Sequence, residues 1–83
     1  MTDQEQYRGI FVGGEAKQKV IAHGLLRPYE EDGRWFVLDV GFYGINWTSF
    51  ATRETAEIFA KATLDIKRRL EDAIWKRGID ESA

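Results

Sequence analysis

The sequence predicts an α+β domain of two layers, in which a four-stranded antiparallel meander sheet carries one C-terminal helix packed on one face. Three observations lead to this fold class. Residues 53–77 repeat apolar side chains with the period of an α-helix. Residues 34–51 form two alternating stretches around a Gly-rich turn, and residues 7–12 have the composition of a further strand.

Length and composition limit the chain to one small domain. Its 83 residues, 43% of them hydrophobic, are enough for a single core. We expect this domain to occupy residues 7–79, with disordered tails at residues 1–6 and 80–83. The chain has no cysteine and no apolar run near the roughly 20 residues of a membrane span, so we expect a cytoplasmic protein without disulfides or membrane segments.

The N-terminal quarter is interpreted as a strand, a tight turn and a second strand. Residues 7–12 form the first strand, and Gly13 and Gly14 supply the positive φ angles of a two-residue hairpin turn. The second strand would span about residues 17–27, although its apolar residues alternate poorly. A short helix over residues 15–23 remains the alternative. The turn formed by residues 28–33 then leads into the next strand.

The clearest hairpin joins residues 34–40 to residues 45–51 through a turn within residues 41–44. Shifting the turn by one residue moves the pairing by two, so the face assignment does not depend on the register. One face would carry Phe36, Leu38, Val40, Ile45 and Trp47, and the other Trp35, Val37, Asp39, Asn46, Thr48 and Phe50. Because the first face is wholly apolar, we expect the helix to cover it and leave the second open to solvent.

Start and stop signals define the C-terminal helix. Thr52 is a suitable N-cap, so the helix should begin at Arg53. Gly78 should end it in a left-handed conformation, with Ile79 contacting Ile74. The expected core stripe consists of Ala56, Phe59, Ala62, Thr63, Ile66, Leu70, Ala73 and Ile74.

Two large apolar residues of this helix lie outside that stripe. Leu64 and Trp75 are eleven residues apart, about three helical turns, and therefore share one side of the helix with Arg68. Apolar residues beside an arginine on a polar face are typical of contact surfaces. Packing of Trp75 on the N-terminal segment of the same chain is the alternative.

Residues for catalysis or metal binding are sparse. His23 is the only histidine, and no second acid or base stands at a recognisable spacing from it. We interpret it as a hydrogen-bonded core residue, and a small catalytic or ligand site around it is a third hypothesis. Without cysteine and with one histidine, a zinc site is not expected. The sequence therefore predicts a protein that is not an enzyme and that uses no metal or cofactor.

One stretch resembles a known class of module. Across residues 34–62, the sequences Arg34-Trp35-Phe36-Val37 and Phe50-Ala51-Thr52-Arg53-Glu54-Thr55-Ala56 resemble the last two strands and the helix start of AP2-like and integrase arm-type DNA-binding domains. The resemblance implies a three-stranded sheet that contacts the DNA major groove, backed by a helix. In that class the outer sheet face is basic and polar, whereas here it would be mainly apolar, so no DNA-contact residues are carried over.

The sequence favours a small protein-binding module, an inhibitor or adaptor of the kind that phages and mobile elements encode. Its partner would be another protein or a second copy of the chain. The expected contact residues are Trp35, Val37 and Phe50 on the open sheet face, and Leu64, Arg68 and Trp75 on the outer helix face.

The alternative is a nucleic-acid-binding module. Aromatic side chains on the sheet would stack on bases, and Lys17, Lys19, Arg34, Lys67 and Arg69 would contact phosphates. The net charge of −2 argues against it, because nonspecific nucleic-acid binding depends on a basic face.

Overall fold

The computed structural model describes residues 6–82 of the chain, and the side chains of residues 6–77. In chain order, this part consists of β1 (Tyr7–Phe11), α1 (Gly13–His23), β2 (Tyr29–Glu31), β3 (Arg34–Val40), β4 (Ile45–Phe50) and α2 (Arg53–Ser82). The predicted α+β class, with a four-stranded antiparallel sheet and a C-terminal helix, is confirmed.

The strand order is β1-β4-β3-β2, which differs from the predicted meander. Strands β2, β3 and β4 do follow one another as neighbours, with Leu38 opposite Trp47 in the central pair. Strand β1 instead pairs antiparallel with β4, where Gly9 faces Trp47. The first strand therefore finds its partner through a non-local pairing that no turn signal near residue 13 could indicate.

The predicted second strand, residues 17–27, is wrong, and the helical alternative is correct. Gly13 has φ +60° but begins α1 instead of forming a hairpin turn. Along α1, Ala16, Lys19, Val20 and His23 recur at helical spacing and turn inward, with Ala16 buried. Gly24, at φ +78°, ends the helix and donates its N–H to the carbonyl of Val20.

The two helices lie on opposite faces of the sheet, which reverses the predicted face assignment. Lys19 of α1 lies over the ring of Phe11, and His23 stacks on Tyr29. Helix α1 therefore packs on the wholly apolar face, although Val40 at the end of β3 stays exposed, and α2 packs on the mixed face. Because the sequence was expected to supply one helix, this third layer was not foreseen.

The core between α2 and the sheet combines small helical residues with large strand residues. Ala56 and Ala60 are buried against Val37 and Phe50. Their methyl side chains let the helix axis approach the sheet closely. The ring of Phe59 lies 5.1 Å from that of Phe50 and closes one side of this core.

Helix α2 is much longer than the strands that it crosses. Its 30 residues extend about 45 Å, whereas the seven residues of β3 extend about 23 Å. The predicted end at Gly78 is wrong, because the helix continues to Ser82; the predicted contact of Ile79 with Ile74 lies outside the described side chains. The first three residues of the expected tail 80–83 belong to this helix, and residues 1–5 and 83 lie outside the described part.

Candidate functional site

The feature that most resembles a binding surface is the half of α2 that extends beyond the sheet. The ammonium group of Lys67 bonds the carboxylate of Asp39, at the end of β3 that leads into the turn of residues 41–44. Ten further residues with described side chains, 68–77, continue past this contact as helix, and all are exposed. We call residues 64–77 the projecting half of α2.

The projecting half continues, with apolar residues, the helical positions by which α2 packs on its own sheet. The exposed members of this sheet-side stripe are Ile66, Leu70 and Ile74. They follow Phe59, Thr63 and Lys67 by seven residues each, which is about two turns. From the sequence we expected the whole stripe to be core. That expectation is wrong for its second half, because the sheet ends before the helix does.

The outer face of α2 carries a second set of exposed residues. Leu64 is partly exposed, Arg68 is exposed, and 71% of Trp75 is accessible. The alternative in which Trp75 packs on the N-terminal segment of its own chain is not observed among the described residues. Leu64 and Trp75 therefore stay available for contact with another molecule.

The predicted open sheet face is instead the core beneath α2. Val37 is 1% exposed and Phe50 is 4% exposed. Trp35 is half-buried beside them and lies under the guanidinium of Arg53, 5.5 Å from its ring centroid. A partner could reach Val37 and Phe50 only by displacing α2, so these residues do not form an exposed surface.

The β3–β4 turn adds exposed aromatic residues that the sequence did not single out. Phe42 and Tyr43 both project into solvent there. The turn follows Asp39 by a few residues and so lies at the same end of the molecule as the projecting half of α2. A turn of Gly-Phe-Tyr-Gly, with two large rings where small polar residues are usual, is the signal that could have marked them.

A row of rings crosses all four strands on the α1 face. Centroid distances are 3.6 Å from His23 to Tyr29, 5.6 Å from Tyr29 to Phe36 and 5.5 Å from Phe36 to Trp47. Phe11 completes the row, 6.3 Å from Trp47. Burial, and then the negative charge of Glu31, raise the pKa of Tyr29 to about 12. The row is a packed layer under α1 that includes His23, and its edge is closed by the ion pair of Lys19 with Glu31, at 3.2 Å.

The sheet face under α2 also has an open cleft beside the helix. Its volume is about 530 Å³, and it lies where β1 and β4 extend past Phe59. Its lining combines Arg8, Asp39, Asn46 and Thr48 with the apolar side of Ile10. The mixture of one cation, one carboxylate and neutral polar groups selects no particular ligand class.

The basic residues proposed for nucleic-acid contacts do not form one surface. Lys19 and Arg34 lie on the α1 face, where Arg34 donates to the hydroxyl and carbonyl oxygens of Ser49 and lies over the ring of Tyr7. Lys67 lies on the α2 face and is paired with Asp39. Lys17 and Arg69 are exposed on their separate helices. The phosphate contacts of the nucleic-acid alternative are therefore divided between the two faces of the sheet.

Among the described side chains, those of residues 6–77, no three His, Cys, Asp or Glu residues are grouped as metal ligands would be. Within residues 6–82, no helix combines the length and the apolar character that crossing a membrane requires.

Comparisons of the chain with protein-family models, with curated proteins and with solved structures find no match. The resemblance to AP2-like modules therefore stays a prediction. Strands β2, β3 and β4 followed by α2 do have the element order of such a module, but the sheet face away from α2 is covered by α1.

Proposed function

We propose that this chain is a non-enzymatic protein-binding module that offers the projecting half of α2 to an apolar groove of another protein. The observation that carries the proposal is the exposed sheet-side stripe, Ile66, Leu70 and Ile74, on a helix that outruns its own sheet. An inhibitor or an adaptor would act in this way.

The cost of exposing these side chains argues for a partner. Three aliphatic residues on one side of a helix form a continuous apolar strip, and monomers rarely expose such strips beyond a few hundred Å². An isolated helical segment of this length is also marginal in water without packing. Binding in an apolar groove would bury the strip and would give the helical segment the packing that stabilises it.

The spacing of the stripe fits one known mode of recognition. Helices that bind in grooves present anchors at i, i+4 and i+7 or i+8, which is the pattern of Ile66, Leu70 and Ile74. Lys67 and Glu71 flank the anchors on one side and Arg69 on the other, so the groove would have polar rims of mixed sign. Phe42 and Tyr43, at the same end of the molecule, would contact the partner beside the groove.

The test compares two isoleucines of α2 that differ mainly in position. Ile66 is 58% exposed in the stripe, and Ile58 is 64% exposed on the side of α2 that faces away from the sheet. Tagged wild-type protein, Ile66→Asp and Ile58→Asp are used to capture proteins from the native host, with quantitative mass spectrometry as the readout. We expect one captured protein to be retained by Ile58→Asp and lost by Ile66→Asp and by Leu70→Asp.

Circular dichroism of each variant checks that the fold is kept, since all these positions are exposed. Binding of the purified captured protein to the wild-type chain should then be direct and should weaken at least about tenfold in Ile66→Asp, a loss of about 1.4 kcal/mol. Equal capture by Ile66→Asp and Ile58→Asp would contradict the proposal, as would the absence of any specifically captured protein.

A further inference from the structure

We infer that the outer face of α2 pairs with the same face of a second copy of this chain, with the two helices antiparallel. This face differs from the sheet-side stripe, so the pairing stands or falls separately from the proposed function. The outer face consists of Leu64, Arg68, Glu71 and Trp75, all of them accessible.

The four residues form a regular seam along the helix. Their spacing of four, three and four residues is that of the apolar seam in paired helices. Counted from the buried Ala56, Leu64 and Trp75 lie about 80° and about 100° around the helix axis. A second helix on this side would therefore lie beside α2, in the same layer, and would not collide with the sheet beneath Ala56.

The order of the residues makes the seam complementary to itself when two copies run antiparallel. The pair Leu64 and Trp75 and the pair Arg68 and Glu71 have the same midpoint, between residues 69 and 70. A two-fold axis at that midpoint places Leu64 of each copy against Trp75 of the other. The same axis places Arg68 of each copy against Glu71 of the other, so the ion pair and the apolar contact each form twice.

A parallel pairing lacks this complementarity. In that arrangement Arg68 would face Arg68 and Glu71 would face Glu71, which places like charges in contact. The antiparallel arrangement also explains why a tryptophan stands on an otherwise polar face, since its indole covers a leucine of the second copy. These charge and size matches favour a second copy over an unrelated partner for this face.

The size of the interface determines how tightly the two copies are expected to bind each other. Each copy contributes about three helical turns, which puts the interface at the small end of those that are specific. We expect a dimer with a Kd on the order of 10 to 100 µM, in exchange with the monomer. Low salt should strengthen it, because ion pairs in so small an interface remain accessible to salt ions.

Sedimentation equilibrium of the full chain tests the pairing by charge exchange. The wild type should shift from monomer towards dimer with concentration, and Arg68→Glu and Glu71→Arg should each weaken the dimer at least about tenfold. Mixing the two variants should restore it, because in the mixed dimer one contact pairs the two substituted residues and the other pairs the native Arg68 with the native Glu71, so opposite charges meet at both contacts. A mere structural defect in either variant would not be repaired by mixing.

Two further variants complete the test. Trp75→Ala should abolish dimerisation, and Arg69→Glu, which changes the same charge on another side of the helix, should leave the Kd within about twofold. A wild type that stays monomeric to about 1 mM would overturn the inference. So would a dimer that the two charge variants do not weaken, or one that their mixture does not restore; none of these results would bear on binding through Ile66 and Leu70.

Discussion

Ala56 and Ile74 lie on the same side of α2, eighteen residues or five helical turns apart, yet Ala56 is completely buried and 70% of Ile74 is exposed. The difference lies in what is beneath them. Val37 and Phe50 lie under Ala56, whereas the sheet has already ended where Ile74 stands. The sheet-side residues of α2 therefore pack in the core along its first half and are exposed along its second half.

This difference predicts a large loss of stability when a residue beneath the first half of α2 is truncated, and almost no loss when a residue of its second half is truncated. Phe50→Ala should lower the free energy of unfolding by about 3 to 5 kcal/mol, because it opens a cavity against Phe59 and Val37. Ile74→Ala should change it by no more than about 0.5 kcal/mol, as is usual for exposed positions. Urea denaturation followed by circular dichroism measures both. Similar losses in the two variants would mean that Ile74 is packed in solution.

Gly9 is predicted to be indispensable for the packing of Trp47. A Cβ atom on Gly9 would overlap the indole ring of Trp47, which lies directly over it. Gly9→Ala should therefore displace the ring and cost about 1 to 3 kcal/mol, with a change in tryptophan fluorescence. Gly14→Ala is the matched control, since nothing lies near its Cβ position, and it should leave the stability unchanged or raise it by up to about 1 kcal/mol. The prediction fails if both substitutions have the same effect.

Tyr29 should make the stability depend on pH in the alkaline range. Its pKa is raised from 10.0 to about 12 in the folded protein, first by burial and then by Glu31. A raised folded-state pKa means that the stabilising contribution is complete below pH 10 and is lost as the pH rises to about 12. Tyr29→Phe keeps the ring between His23 and Phe36 and removes the titrating hydroxyl.

Absorbance at the wavelength of tyrosinate gives the measurement. The difference between the titrations of the wild type and Tyr29→Phe should be a single step near pH 12. The wild type should also lose more stability than the variant when the pH rises from 10 towards 12. A difference step at the ordinary tyrosine pKa would show that the hydroxyl of Tyr29 is solvated.

Local signals were sufficient for the parts of the fold that depend on neighbouring residues. The bounds of β3, Arg34–Val40, and the start of α2 at Arg53 agree with the prediction. The hydroxyl of Thr52 accepts the N–H of Thr55 at 3.3 Å, as an N-cap should. Alternation, the Gly-rich turn and the cap each act within a few residues, so the sequence carries them directly.

The remaining parts depend on contacts between distant segments. Gly13-Gly14 fits a hairpin turn or the start of a helix equally well, and the choice is decided by β1, which pairs with β4. Once α1 exists, both sheet faces can be covered, and the alternating pattern of β3 and β4 does not say which helix takes which face. Gly78 is likewise typical of a helix end, yet α2 continues through it to Ser82, and the residues next to Gly78 do not by themselves distinguish the two outcomes.

The exposed half of α2 could nevertheless have been anticipated from lengths alone. The predicted helix of 25 residues would already extend about 37 Å, and the seven-residue strand beneath it about 23 Å. The apolar stripe would therefore extend about 14 Å beyond the sheet, where its residues must either contact another molecule or stay exposed to solvent. The outer-face residues Leu64, Arg68 and Trp75 were identified from their helical spacing and are accessible, whereas Trp35, Val37 and Phe50 were misplaced because the covering helix was assigned to the other face.

Hydrogen exchange of the backbone amides along α2 tests the central claim most directly. In dilute solution, where the chain is monomeric, the amides of residues 57–63 should exchange with the slow rates of the core, and those of residues 70–77 should exchange orders of magnitude faster. The boundary should fall near Lys67, where the contact with Asp39 ends the packing on the sheet. Uniform slow exchange through Arg77 would contradict the account, because the projecting half would then be held by the chain's own fold.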